Sequence, residues 1–276
     1  MTMSRPIGLS TSMLIPGSLD SSIDFVQRHG FGGIELWGDF PHAHPDSLNR
    51  ALRKRLRKRL RSFEWISVHA PLGNASLASC NPGIWRESMR EHGEVIELAA
   101  EIGATVVVVH PGDLRDRRLE HVAWLHLAAA LSQLTEAAST CGITLALENC
   151  GKYLGSLDES PAQLKQMLAE VSSPQLRACL DVGHAAVNRN LDEIVGLLGP
   201  EIVHVHLHDN DGSGDQHLPM GWGSIDFNAV LPVLGPTTTV AAELTWPPSG
   251  GYTARTADDM AEAMISNWRS FAGSAV

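Results

Sequence analysis

Eight short β-branched runs recur along the 276 residues, each followed by a stretch suited to a helix or a turn, and this alternation restricts the chain to very few folds. The runs are 7–13, 33–38, 66–72, 105–112, 143–151, 176–185, 202–210 and 239–246. Their starts lie on average about 33 residues apart, the length of one strand–helix unit. Between them, 85–102 and 121–140 carry helical patterns, and Gly103 and Gly142 stand where helix C-caps belong. Strands alternating with helices build parallel sheets, so eight units predict an α/β fold, a single (β/α)8 TIM barrel expected to form one domain over 1–276. An open doubly wound sheet is the alternative, but no G-x-G-x-x-G follows the first strand.

With 43% hydrophobic and 19% charged residues, the chain is neither disordered nor fibrous. No run approaches the ~18 apolar residues of a membrane span, and the first residues lack the apolar core of a signal peptide. Cys80, Cys141, Cys150 and Cys179 are scattered and form no C-x-x-C. These features predict a cytoplasmic protein with reduced thiols. The net charge of −10 argues against a general polyanion binder. Segment 50–61 nevertheless holds eight cations and no acid, leaving thirteen cations against 31 acids, or −18, elsewhere. Leu52, Leu56 and Leu60 give it one apolar stripe, as on an outer helix whose cations are solvated or contact phosphate.

In a barrel, function collects where strands end. The third run supplies His69, the fourth His110, the fifth Glu148, the sixth Asp181 with His184 beyond it, the seventh His204, His206 and His208, and the eighth Glu243. One strand-end histidine usually serves a backbone carbonyl, but six strands delivering imidazole or carboxylate to one rim demand a counter-charge. Acids and imidazoles without a central Lys or Arg are the composition of a divalent metal site. Mixed N/O donors suit Zn²⁺ or Mn²⁺, and also Co²⁺ or Fe²⁺, over Ca²⁺ or Mg²⁺. Past the seventh run, Asp215 and His217 stand two apart in a glycine-rich loop, so an extended backbone would aim both back over the rim.

The segments V-H-A-P-L at 68–72, V-V-H-P-G at 108–112, A-L-E-N at 146–149, L-D-V-G-H at 180–184, H-x-H-D-N at 206–210, D-x-H-L-P-x-G-x-G at 215–223 and A-E-L at 242–244 occur in this order. Together they resemble the xylose-isomerase-like TIM-barrel superfamily, which holds sugar (phosphate) isomerases and epimerases and endonuclease IV, across about residues 7–270. The epimerase branch implies a mononuclear site on Glu148, Asp181, His206 and Glu243. The endonuclease IV branch implies three zinc ions on His69, His110, Glu148, Asp181, His184, His206, Asp215, His217 and Glu243, all present in kind. One to three divalent metals per chain are therefore expected.

The chain departs from both branches. Residues 70–73, Ala-Pro-Leu-Gly, lack the aromatic that endonuclease IV wedges into DNA, and loop 37–44 is apolar and acidic. The Arg usual in the epimerase branch is missing between His206 and Trp246. The resemblance implies a metal-dependent sugar or sugar-phosphate isomerase or epimerase working through an enediolate, in which Glu148 and Glu243 move the carbon-bound proton. His184 and His69 then orient substrate oxygens or hold a second metal. Trp37 and Trp222 either floor a sugar-sized pocket or pack in the core, and His208 is expected at the substrate. The alternatives are a di- or trinuclear zinc phosphodiesterase acting on abasic DNA and a non-catalytic sugar-binding barrel. The expected partner is a small sugar; DNA and membranes are not expected, and the chain is expected to be a monomer or homodimer.

Overall fold

The computed structural model describes residues 5–114, 116–151, 155–158, 160–230, 234–248 and 256–274. Eight strands, β1 (Ile7–Ser10), β2 (Gly33–Trp37), β3 (Trp65–His69), β4 (Val106–Val109), β5 (Thr144–Glu148), β6 (Leu176–Asp181), β7 (Ile202–Leu207) and β8 (Thr239–Ala242), pair in parallel with their sequence neighbours. β1 also pairs with β8, Ile7 opposite Val240, which closes the barrel and leaves no free sheet edge. Around it run α1 (Leu19–Arg28), α2 (Arg50–Leu60), α3 (Pro82–Ile102), α4 (Glu120–Cys141), α5 (Pro161–Val171), α6 (Val182–Val187), α7 (Leu191–Leu198) and α8 (Ala257–Ser274). Gly103 and Gly142 cap α3 and α4 in the left-handed conformation, as their positions predict.

The expected alternation needs two corrections. The strands are shorter than the apolar runs, whose last residues lie past the ladder, in a 3-10 turn at Thr11–Leu14 after β1, in α6 after β6 and in loops elsewhere. After β6 the chain passes directly into α6, with the Asp181 carboxylate accepting the His184 N–H at 2.6 Å, so His184 lies in a helix's first turn. Among the described residues, β7 is followed only by a short 3-10 turn, Phe227–Ala229, and no long helix.

The main core lies between strands and helices, where Val107, Val109, Leu145, Leu147, Val205 and Leu207 meet side chains such as Leu98, Leu127 and Leu131. The barrel interior holds a second, small apolar group of Val106, Val108, Ala146 and Cys179. The Trp65 ring closes the N-terminal end of the barrel. A Cβ on Gly8 or Gly33 would come within 2.4 and 2.0 Å of it, so only glycine fits at either strand. All four cysteines are free. Among the described residues no helix is long and apolar enough to cross a membrane.

The basic segment forms α2. Leu56 and Leu60 are buried while Leu52 is only half-buried. Arg59 meets Asp20 and Asp24 at 2.5 Å, Arg55 also pairs with Asp20, and Arg53 lies 3.4 Å from Glu101. Part of this charge is thus matched by acids on neighbouring helices, as a solvated outer helix requires.

Candidate metal centre

Glu148, the last residue of β5, is almost fully buried at the C-terminal mouth of the barrel. Its Oε2 lies 3.1 Å from His110 Nε2, 3.7 Å from His69 Nε2 and 3.2 Å from His206 Nδ1. Its Oε1 lies 3.2 Å from His184 Nδ1. His206 Nδ1 is in turn 3.2 Å from Glu243 Oε2 and 3.9 Å from Asp181 Oδ2. On the far side of His184, Asp215 Oδ2 stands 3.3 Å from its Nε2 and 2.9 Å from His217 Nε2. All nine residues singled out as metal donors therefore converge, as three overlapping groups that share Glu148 and His184.

The backs of the imidazoles show which nitrogen faces inward. His69 Nδ1 lies 2.8 Å from the Ala70 carbonyl, His184 Nδ1 3.0 Å from the Asn149 carbonyl and His217 Nδ1 2.9 Å from the Glu243 carbonyl. A carbonyl can only accept, so each Nδ1 donates, and in the neutral ring each Nε2 turns a lone pair inward, that of His184 toward Asp215, while the His184 Nδ1 also lies beside Glu148. His110 places Nδ1 3.3 Å from the Cys150 thiol and Nε2 inward. This is how metal-binding imidazoles are oriented in proteins.

Further side chains hold the donors in place. The Asn149 side chain accepts from Asp181 N at 2.8 Å and donates to its carbonyl at 2.9 Å, locking β5 to β6. Asp209 accepts from the backbone N–H groups of Asn210, Gly221, Gly223 and Ile225, and so folds the loop carrying Asp215 and His217. That loop is not extended at His217, whose φ is 49°; the ring reaches Asp215 through a left-handed turn. His208 is fully buried, with Nε2 3.1 Å from both Asp181 oxygens, and its ring stacks on His217 at 3.9 Å. It lies against the glycine of L-D-V-G-H: a Cβ on Gly183 would come within 1.9 Å of its ring. Expected at the substrate, His208 thus sits against the Asp181 carboxylate, out of solvent. Trp37 stands beside His69, ring centroids 5.1 Å apart, whereas Trp222 is half-buried against the main core. Sequence reasoning missed Glu35, whose single carboxylate in an apolar run gives no periodic signal. It also missed Asn149 and Asp209, although both stand inside recognised segments.

Burial by itself would raise the Glu148 carboxyl, but His110 and His206 hold it well below the usual carboxylate range. Burial likewise opposes the drop of Glu243 to about 2, which His206 and His217 cause. Burial would lower the His217 imidazole, yet Asp215 and Glu243 raise it to about 9. His184 moves the same way against its burial, well above the ordinary value, through Asp181, Asp215 and Glu148. Burial and the charge of Glu148 push the Cys150 and Cys179 thiols well up, so neither offers a thiolate.

Among the described residues, seven buried side-chain N or O atoms have no hydrogen-bond partner. Four of them, Glu148 Oε2, His206 Nδ1, His208 Nδ1 and Asp215 Oδ1, belong to this cluster, and a fifth, Glu35 Oε1, lies beneath it. Glu148 Oε2 and His206 Nδ1 face one another at 3.2 Å without hydrogen-bond alignment. Such atoms are costly to bury unless a cation takes their lone pairs, so the donor set fits a divalent metal.

Comparison with known proteins places the chain in a family. An uncharacterized protein of Methanocaldococcus jannaschii is 33% identical over 230 residues, 81% of this chain and 77% of that protein. The fructoselysine 3-epimerase of Shigella flexneri is 26% identical over 207 residues, 73% of this chain and 75% of that enzyme. The crystal structure of a D-tagatose 3-epimerase-like protein superposes with a TM-score of 0.83 at 27% identity, covering 98% of this chain and 99% of that one. The sequence profile of the xylose isomerase-like TIM barrel family matches residues 23–263, and with the closed eight-stranded barrel this establishes that the chain belongs to that family.

Proposed function

We propose that the protein is a divalent-metal-dependent isomerase or epimerase of small sugars that works through an enediolate. The observation that carries this reading is the convergence of four imidazoles on the buried Glu148 carboxylate, whose Oε2 and the His206 Nδ1 facing it both lack hydrogen-bond partners. Similarity to a fructoselysine 3-epimerase and a D-tagatose 3-epimerase-like protein supports it.

Glu148, Asp181, His206 and Glu243 would hold the principal metal. His69 and His110, sharing Glu148, and His184, Asp215 and His217 offer two more positions. A bound divalent ion supplies Lewis acidity, lowering the cost of negative charge on a substrate carbonyl oxygen. The rest falls to the chain. Glu148 ends β5 and Glu243 stands just past β8, with β6 and β7 between them. Inverting a carbon beside a carbonyl needs one group to take the proton and a second to return it to the other face. These two carboxylates would be that pair, one ionised to take the proton and the other protonated to return one, the two states exchanging with each turnover. Trp37, next to His69, offers an apolar ring face for the sugar.

The presence of all nine donors also favours a polynuclear phosphodiesterase. Against it stand residues 70–73, which carry no aromatic, and the pairing of α2 cations with Asp20, Asp24 and Glu101. Incubation with a panel of ketoses and aldoses in D₂O separates the two. Carbon-bound deuterium beside the carbonyl, lost in Glu148→Gln and Glu243→Gln, is the expected result. No exchange with any sugar, together with metal-dependent phosphodiester cleavage, would sink the isomerase reading.

A further inference from the structure

Glu35 lies inside the barrel, and the proposed chemistry does not use it. In the β2–β3 register it stands opposite Ser67, two residues below the Trp37–His69 pair at the mouth. Its carboxylate is fully buried and takes three neighbours from two other strands. Ser67 Oγ donates at 3.1 Å, His204 Nε2 lies at 3.0 Å, and His206 Nε2 lies 3.2 and 3.3 Å from the two carboxylate oxygens. His204 is anchored in turn, with Nδ1 2.6 Å from Thr239 Oγ1. The network ties β2, β3, β7 and β8 together beneath the candidate metal centre.

An apolar side chain would fill this space without the cost of a buried carboxylate, as Val106, Val108 and Ala146 do elsewhere in the interior. The contacts of His206 show what the carboxylate does. His69, His184 and His217 each donate backward to a main-chain carbonyl, and His110 is backed by a thiol. Of the inward-facing imidazoles described, His206 is the one backed by a carboxylate from outside the donor set, and its inward Nδ1 makes no hydrogen bond while lying 3.2 Å from both Glu148 and Glu243.

We propose that Glu35 is a positioning residue: by accepting the Nε2 proton of His206 it fixes the tautomer in which the Nδ1 lone pair faces Glu148, Asp181 and Glu243 and there binds the metal. Ser67 and His204 hold the carboxylate in that role. The inference rests on the metal-dependent reading above. A carboxylate behind a metal-bound imidazole strengthens it as a donor, and loss of such a partner weakens metal binding about ten- to a hundred-fold.

The test strips the whole chain of metal and titrates wild type and Glu35→Gln with Zn²⁺ and with Mn²⁺ against a chromophoric chelator. Thermal unfolding of the metal-free proteins is followed in parallel. The expected result is metal affinity about ten- to a hundred-fold weaker in Glu35→Gln, with a metal-free midpoint equal to or above that of wild type. Independently, ¹⁵N NMR of Zn²⁺-loaded wild type should show the His206 proton on Nε2. That measurement decides the matter should the variant not fold. Wild-type affinity in Glu35→Gln, or a His206 proton on Nδ1, would overturn this inference and leave the metal-dependent reading standing. Wild type that takes up neither ion would overturn both.

Discussion

Glu148 meets His69, His110, His184 and His206 within 3.7 Å, so one buried carboxylate lies against four imidazoles. Metal binding must therefore compete with protons. His217, raised to about 9, carries a proton at neutral pH that a metal has to displace. Metal affinity should accordingly rise with pH between 7 and about 9, by ~10-fold per pH unit for each proton displaced. Titration calorimetry in buffers of different ionisation enthalpy should show proton release at pH 7.5, and pH-independent uptake would contradict it. The metal-free protein has linked signs. His217, with its folded pKa above the ordinary 6.5, contributes stability that is complete below that value and lost as pH rises through about 9. Glu243, depressed from 4.5 to about 2, contributes stability above 4.5 that is lost as pH falls toward 2. Glu243→Gln should retain the fold and most metal affinity while turnover drops at least ~10²-fold, the usual share of a positioned general base. A rate restored by excess metal would assign Glu243 to metal binding alone.

At the scale of elements, the loop after β7 carries Asp215 and His217, and its shape depends on one side chain. Asp209 accepts four backbone N–H groups between 2.8 and 3.1 Å, two of them from Gly221 and Gly223. Gly223 has no room for a side chain, since a Cβ would come within 2.3 Å of the Asn210 carbonyl. Asp209→Ala leaves these donors unmatched and should cost about 1–3 kcal/mol, chiefly within the loop. Hydrogen exchange at Gly221, Gly223 and Ile225 should speed up and metal occupancy should fall, while exchange in β4 and β5 stays slow. Helix α2 behaves differently, because its apolar stripe carries its energy. Leu60→Ala should destabilise by about 2–5 kcal/mol. Lys54→Glu with Lys58→Glu should stay within about 0.5 kcal/mol per site of wild type. Urea unfolding measures both, and a larger effect of the lysines would reassign α2 from a packing element to an electrostatic one.

For the whole molecule, the candidate centre joins donors from β3, β4, β5, β6, β7 and β8 or the loops just past them. A metal held there binds the folded barrel and not the unfolded chain, so its removal lowers stability by mass action. With ligand at about 100 times its Kd the loss is about 2.7 kcal/mol, which a scanning calorimeter reads as a drop in Tm on adding a chelator. An unchanged Tm would show that the donors do not bind the ion. The global charge of −10 also predicts no tight binding of abasic duplex at physiological salt. Metal-dependent nicking that survives neutralisation of residues 53 to 59 would overturn the ranking of isomerase over phosphodiesterase.

Much of this was legible in the chain itself, because the barrel arises from local patterns. Strand periodicity, helix stripes and the capping glycines Gly103 and Gly142 are properties of neighbouring residues, and eight repeats leave little choice of closure. The nine candidate donors are legible for the same reason: they stand at the ends of those runs, or in the loop just after one. What lay out of reach depends on partners distant in sequence. Glu35 is one polar residue in an apolar run, and its role appears only when closure brings His204 and His206 to it across 169 and 171 positions. His208 shares the period-two spacing of His204 and His206, yet packing against Gly183 and Asp181 takes it out of solvent. Strand ends were overextended for a related reason, since only the register of neighbouring strands decides where the ladder stops. Local alternation thus determined the architecture and the residue types at its mouth. Tertiary contact decided which nitrogen of His110, His184, His206 and His217 faces inward and which carboxylate stands behind His206, because those contacts join segments far apart in the chain, whereas His69 is oriented by the carbonyl of the next residue.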